Sequence, residues 1–270
     1  MPQTNSFNPC FSEIIPTPDK GQISIDWYAP DQNEFSAKDV GTRPVALFLP
    51  GIAGTSAAEY LRTLVPLAYG VGYQPVVLNY RGLTSTELLN SRLYCALNFE
   101  DLETTLKHIK KSAKSDVKII ATALSMGGTI LAGYLTTRGV ESLIDAAFMA
   151  SVVWDAEAGA RSLESGFWNR DINKMMTKSL IKIVQRHRSW FENDPKYDLK
   201  AVENCKSLRN FDGAFTVKMF GFDTAEEYYR ACTYKDKVHL IKVPTLVLQA
   251  ADDMMAKGSE IRLLEIHFRN

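Results

Sequence analysis

The chain has 270 residues, enough for one large α/β domain or two small ones, and its 46% hydrophobic content supports a sizeable core. Lys plus Arg and Asp plus Glu both number 31. The chain as a whole therefore lacks the basic excess that phosphate neutralisation requires, which argues against a nucleic-acid binder. Four cysteines, Cys10, Cys95, Cys205 and Cys232, are scattered without C-x-x-C spacing, and read as reduced thiols of an intracellular protein. No apolar run approaches the roughly 18 residues of a membrane span. The N-terminal MPQTNSFNPCFSEII has neither the basic nor the apolar region of a signal peptide.

Strand-like and helix-like segments then alternate. QISIDWY (22–28) alternates apolar and polar residues, as a half-exposed edge strand does. RPVALFLPG (43–51) is a continuous apolar run ending in Pro-Gly, the pattern of a strand buried on both faces. SAAEYLRTLVPLAYG (56–70) has helical spacing with Ser56 placed to cap it. QPVVLNYRG (74–82) is a second buried strand. FEDLETTLKHIKKSAK (99–114) is amphipathic, with Leu102, Leu106 and Ile109 on one face. Its acidic residues precede its basic ones, as the helix dipole favours. A strand over 117–124, a helix after Ser125 and a strand in DAAFMASVVW (145–154) follow. This rhythm predicts an α/β fold, a mostly parallel sheet with helices on both faces. The stretch 155–231 breaks it, being helical in pattern and rich in charge and aromatics; VPTLVLQAADD (243–253) resumes it. The expectation is one domain over 1–270 with a helical cap inserted at 155–231, over the strand ends where ligands of such sheets bind.

VKIIATALSMGG (117–128) carries the chemistry. A β-branched run ends in Ala123-Leu124-Ser125-Met126-Gly127 and a helix opens at once, the layout of a nucleophile elbow. Such a turn brings strand and helix so close that positions two before and two after the serine must be small; Gly127 and Ala123 meet that need. The bland reading of Ser125 is an ordinary helix N-cap. The catalytic reading makes the Met126 amide one oxyanion donor and the Ile52 amide, in LPGIAG (49–54), the other. Asp253 ends the strand after the cap, where the acid of a Ser-His-Asp triad belongs; a solvated Asp252-Asp253 turn is the alternative.

The base is harder to find. His108 is expected to face solvent from its helix, His187 to sit on a wet face of the cap, and His239 to precede the last strand at its wrong end. Only His267 follows Asp253, and too closely: a loop, a helix, a second loop and a strand need roughly 20 residues. In the cap, Lys174, Lys178, Lys182 and Arg186 recur four apart, with Ile172, Met175, Met176 and Ile183 expected away from that stripe. The stripe reads first as a solvated face and second as a contact for anionic lipid headgroups. Phe167, Trp168 and Trp190 read first as core residues and second as lipid anchors.

These residues resemble the α/β-hydrolase superfamily, and within it the abhydrolase-domain lipid hydrolases, nearest to abhydrolase domain-containing proteins 1 and 3. The resemblance runs from about Phe11 to Met254. It rests on TPDKGQISIDW (17–27), LPGIAGTS (49–56), NYRG (79–82), YCALNFEDLE (94–103), SMGG (125–128), SLRNFDGAFTVKMFGFDTAEEYY (207–229) and LQAADD (248–253). It implies an α/β-hydrolase fold and Ser125 as nucleophile with Asp253 as acid. It also implies hydrolysis of lipid carboxylic esters, phospholipids or acylglycerols, without metal or organic cofactor. Two departures stand out. The family's N-terminal membrane-anchoring helix is not seen, so a soluble or peripherally membrane-associated protein is expected. The tail MMAKGSEIRLLEIHFRN replaces the family's Gly-Gly-His turn. The final strand and helix are thus expected to be missing, with weak esterase activity, and VPTLVLQA would lie at an open sheet edge. The rival expectation is a non-catalytic protein that keeps the pocket to bind a lipid or a partner.

Overall fold

The computed structural model describes residues 9–29, 41–113 and 116–255. Seven strands form one sheet: β1 (Phe11–Pro16), β2 (Gln22–Trp27), β3 (Val45–Leu49), β4 (Gln74–Asn79), β5 (Ile119–Leu124), β6 (Ala146–Ala150) and β7 (Thr245–Leu248). Their order is β1-β2-β4-β3-β5-β6-β7. The first two strands are antiparallel to their neighbours, and β4 through β7 are parallel. Every residue of β3 and of β4 is buried, because helices cover both faces of a parallel sheet. The helices among the strands are α1 (Leu61–Gly70), α2 (Phe99–Ser112) and α3 (Met126–Arg138). Between β6 and β7 come α4 (Ala156–Glu164), α5 (Phe167–Arg186), α6 (Leu199–Glu203), α7 (Leu208–Phe211), α8 (Val217–Phe220) and α9 (Ala225–Ala231). A π turn, Asp212–Thr216, joins α7 to α8.

Three local expectations are overturned. The strand at 22–28 is not an edge: β1, which the sequence did not reveal, pairs along its whole length and takes the edge itself. The polar alternation of β2 reflects satisfied burial, since the Asp26 carboxylate accepts from Ser12 Oγ at 2.6 Å and Asn79 Nδ2 at 2.9 Å. Ser56 is not a helix cap. The turn 55–60 intervenes and α1 begins at Leu61, with no side-chain cap at its start. The amphipathic reading of α2 holds, with Leu102, Leu106 and Ile109 fully buried. His108 does not face open water, because its Nε2 lies 2.7 Å from Glu13 Oε1 on β1. At the other end, β7 pairs with β6 on one side, and Leu246, Val247 and Leu248 are exposed among the described residues.

The NYRG segment earns its place structurally. Arg81 is buried and forks onto two carboxylates. Its Nε and Nη2 donate to Asp101 at 2.7 and 2.6 Å, and its Nη1 and Nη2 donate to Asp19 at 2.6 and 3.0 Å. This ties the β1–β2 turn, the end of β4 and α2 together. Partial burial would raise the Asp19 pKa, but the hydrogen bonds from Arg81 and Thr17 outweigh it and hold the carboxyl well below its ordinary range. Arg81→Met should cost about 3–5 kcal/mol in urea unfolding, because Asp101 stays buried without its cation. For Asp19, the depressed folded pKa gives stability that is complete above the unfolded value of about 4 and is lost as pH falls below it. The stability gap between wild type and Asp19→Asn should therefore be constant above about pH 5 and close on acidification.

Candidate active site

Ser125 follows the C-terminal end of β5 with φ 53° and ψ −122°, a region that costs a non-glycine residue about 1–3 kcal/mol. Its neighbours hold it there. Its amide donates to the Ala150 carbonyl at 2.9 Å, and its own carbonyl accepts from Gly128 and Thr129 at 2.8 and 3.2 Å, which starts α3 at once. The size rule at the elbow is met. A Cβ on Gly127 would lie 2.5 Å from the Pro50 carbonyl oxygen and nearer still to that of Leu49, and Ala123 is fully buried. Gly51 also faces the elbow: a Cβ there would sit 3.3 Å from Ser125 Cβ.

The loop after β3 is clamped by three tyrosines that the sequence reading did not single out. Tyr60 and Tyr94 hydroxyl oxygens accept from the Gly51 and Ala53 amides at 3.0 and 2.8 Å, and Tyr80 donates to the Pro50 carbonyl at 2.9 Å. The Tyr80 and Tyr94 rings stack in parallel, 5.0 Å between centroids. Burial raises the pKa of all three phenols, so they stay neutral and keep both roles. Ala53 adopts φ 55° within this clamp. Among the described residues neither the Ile52 nor the Met126 amide donates to another protein group, and both residues line the cavity that Ser125 lines.

That cavity encloses about 1040 Å³ of empty space, its open mouth included. Its walls are largely apolar and come mostly from the helices between β6 and β7, including Leu163, Met176, Leu180, Ile183, Phe211 and Phe215. A largely apolar wall with few polar groups is the character of a small-molecule site. Burial pushes the Cys95 thiol up to about 12 and raises Cys232 as well, so the cysteines in the wall are poor nucleophiles. One carboxylate, Asp212 of the π turn, lies in the wall, with the Tyr229 hydroxyl donating to it at 2.8 Å. Burial raises its pKa to about 6. Nothing in its charge pattern marked it; only the fold turns this acid inward. Among the described residues no cluster of three or more His, Cys, Asp or Glu is placed to hold a metal ion.

Asp253 lies in the turn after β7, at the same sheet edge as Ser125, with β6 between their strands. Its carboxylate accepts from Gln249 Nε2 at 3.0 Å and the Met255 amide at 2.9 Å. Met255, two residues on, lines the cavity. The described histidines lie elsewhere. His187 is half-buried rather than wet, its Nε2 2.9 Å from the Gly82 carbonyl. His239 sits in a 3-10 turn before β7, and His267 lies outside the described residues.

The helix α5 corrects the reading of the aromatics. Phe167, Trp168 and Trp190 are not core residues; they are 76%, 74% and 42% exposed. Met176 and Ile183 lie away from the lysine stripe as expected, and they line the cavity. Met175 does not lie away from the lysines; it is 62% exposed, on the solvent side with Lys174, Lys178 and Lys182.

Comparison with known proteins identifies the family and the fold. A family model described as Hydrolase_4, serine aminopeptidase S33, matches residues 69–266. Human phospholipase ABHD3 is 36% identical over 250 residues, which cover 93% of this chain and 60% of that protein; the chain thus spans less than two thirds of that relative's length. The medium-chain fatty acid ethyl ester synthase/esterase 2 of Saccharomyces cerevisiae is 30% identical over 232 residues, 78% of this chain and 51% of that one. An esterase structure from Pyrococcus furiosus superposes with a TM-score of 0.56 at 15% identity, covering 97% of this chain and 77% of that one, a likeness of fold. A strained serine between a parallel strand and its helix, with these matches across most of the sequence, places the chain in the α/β-hydrolase superfamily, as a member of the serine aminopeptidase S33 family and of the abhydrolase lineage that includes phospholipase ABHD3.

Proposed function

We propose that this chain carries a serine-hydrolase site for the carboxylic esters of lipids. One observation carries the proposal: the Ser125 hydroxyl stands on a strained turn at the wall of a large apolar cavity, with two uncommitted backbone amides lining the same space. In this reading Ser125 Oγ attacks the ester carbonyl, and the Ile52 and Met126 amides hold the oxyanion of the tetrahedral intermediate. Asp253 is the acid of this reading, and the base that would take the serine proton is assigned to none of His108, His187 and His239, so turnover is expected to be weak. His108 and His187 are committed to Glu13 and the Gly82 carbonyl. The apolar cavity takes the acyl chain, whose burial supplies roughly 0.8 kcal/mol per methylene. Phospholipase and esterase names among the relatives support a lipid ester as substrate. Among the described residues no helix is long and apolar enough to cross a membrane. Contact with a membrane surface, through the helices that cap the cavity, belongs to the same reading.

Labelling with a fluorophosphonate probe tests the nucleophile. Adduct formation at Ser125 and a weak p-nitrophenyl ester turnover, both abolished in Ser125→Ala, are the expected result. Uptake of a fluorescent fatty acid with no adduct at Ser125 would instead favour a lipid-binding protein without the chemistry. The tyrosine clamp has its own test. Tyr94→Phe removes the acceptor of the Ala53 amide and loosens the loop that carries Ile52, so kcat should fall about tenfold with KM little changed.

A further inference from the structure

The corner between α4 and α5 is unusual for a water-facing surface. Gly166, with φ 82°, turns the chain there, and Phe167 and Trp168 follow with both rings out in solvent. The rings pack edge to face, 5.5 Å between centroids. Two neighbouring large aromatics exposed this far are costly in water unless something covers them. Met175 extends the apolar surface two turns along the same helix. Exposed Arg170, Lys174, Lys178 and Lys182 flank it. Asp171 pairs with Lys174 at 3.7 Å and offsets part of this charge, Glu164 is taken by Arg209 at 2.9 Å, and Arg170, Lys178 and Lys182 make no ion pair among the described residues. The opposite side of α5 is the cavity wall, through Met176, Leu180 and Ile183. One helix therefore carries aromatics and cations on its outer face and part of the cavity wall on its inner face.

We propose that the α4–α5 corner inserts Phe167 and Trp168 into the interface of an anionic phospholipid bilayer. Arg170, Lys174, Lys178 and Lys182 lie against the headgroups, and the cavity is held beside the lipid that it draws from. The proposal rests on the lipid-ester reading for the direction of substrate entry, but the surface itself stands on α5 alone. An aromatic pair seated at headgroup depth with flanking cations is how amphipathic helices bind membrane surfaces. Each cation adds an attraction that salt screens.

Co-sedimentation of the 270-residue chain with vesicles decides it. The chain should partition onto phosphatidylcholine vesicles containing phosphatidylserine more than onto phosphatidylcholine alone, and added salt should narrow that difference. Phe167→Ser with Trp168→Ser should weaken partitioning about tenfold or more, given the apolar area the two rings bury. Both side chains are exposed and neither lines the cavity, so the fold should survive, as circular dichroism would check. Lys174→Glu with Lys178→Glu should remove the preference for phosphatidylserine. Lipids brominated in the upper acyl chain should quench tryptophan emission in wild type and much less in Trp168→Phe. A wild-type chain that stays in the supernatant with phosphatidylserine vesicles, or a double aromatic variant that sediments like wild type, overturns the proposal. Fluorophosphonate labelling reads the Ser125 site separately. Labelling without vesicle binding removes this surface and leaves the hydrolase reading, whereas vesicle binding without labelling does the reverse.

Discussion

The close approach of α3 to the end of β3 governs this molecule. Leu49 and Pro50 present their carbonyl oxygens to the first turn of α3, and at position 127 the gap leaves no room for a Cβ. Glycine there lets the helix start directly behind β5. That start leaves Ser125 at positive φ, with its carbonyl taken by the helix and its amide by β6. The side chain is then turned off the sheet and toward the cavity. A larger residue at 127 would push the helix away and let the serine relax. The exposed hydroxyl is thus a consequence of packing, and its local strain is balanced by the sheet and helix around it.

The same economy of space shapes the loop opposite. Gly51 passes close to Ser125, and three tyrosines, of which Tyr80 and Tyr94 are buried, hold the carbonyl and amides around it. The buried Tyr94 phenol accepts from the half-buried Ala53 amide, which would otherwise lose its partner at a cost of about 1–3 kcal/mol. Fixing those amides leaves Ile52 with a defined direction. Preorganised donors matter most where water is excluded, and the helices from α4 to α9 supply that exclusion. They also create the conditions that keep the wall thiols protonated and raise the pKa of Asp212.

Helix α5 shows how one element can serve two solvents. Its buried side completes the cavity, and its outer side mixes lysines with aromatic rings. A periodicity of four located the lysines without difficulty. It could not say which way Phe167 and Trp168 turn, because an aromatic at the first turn of a helix is buried or exposed according to what stands beside it. The burial of Asp26 within β2 is the converse case. An alternating polar pattern signals water only if nothing polar waits on the other side, and Ser12 and Asn79 do.

Much was legible in the chain itself. Continuous Val, Ile and Leu runs marked β3, β4 and β5, and one apolar stripe marked α2, because burial on two faces or on one leaves a local periodicity. Small residues around Ser125 announced the elbow, because steric closeness there is written in adjacent positions. The resemblance to lipid hydrolases rested on the same short segments. Other features depended on distant partners. Strand β1 is an edge whose role comes from pairing with β2. The tyrosine clamp joins residues 51 and 53 to positions up to 41 residues away, and Arg81 reaches back 62 residues to Asp19. The inward turn of Asp212 and the outward turn of Phe167 and Trp168 were decided by packing alone. Local spacing determines which backbone conformation is cheap; only the assembled structure determines which side chains meet, and so which groups share a cavity.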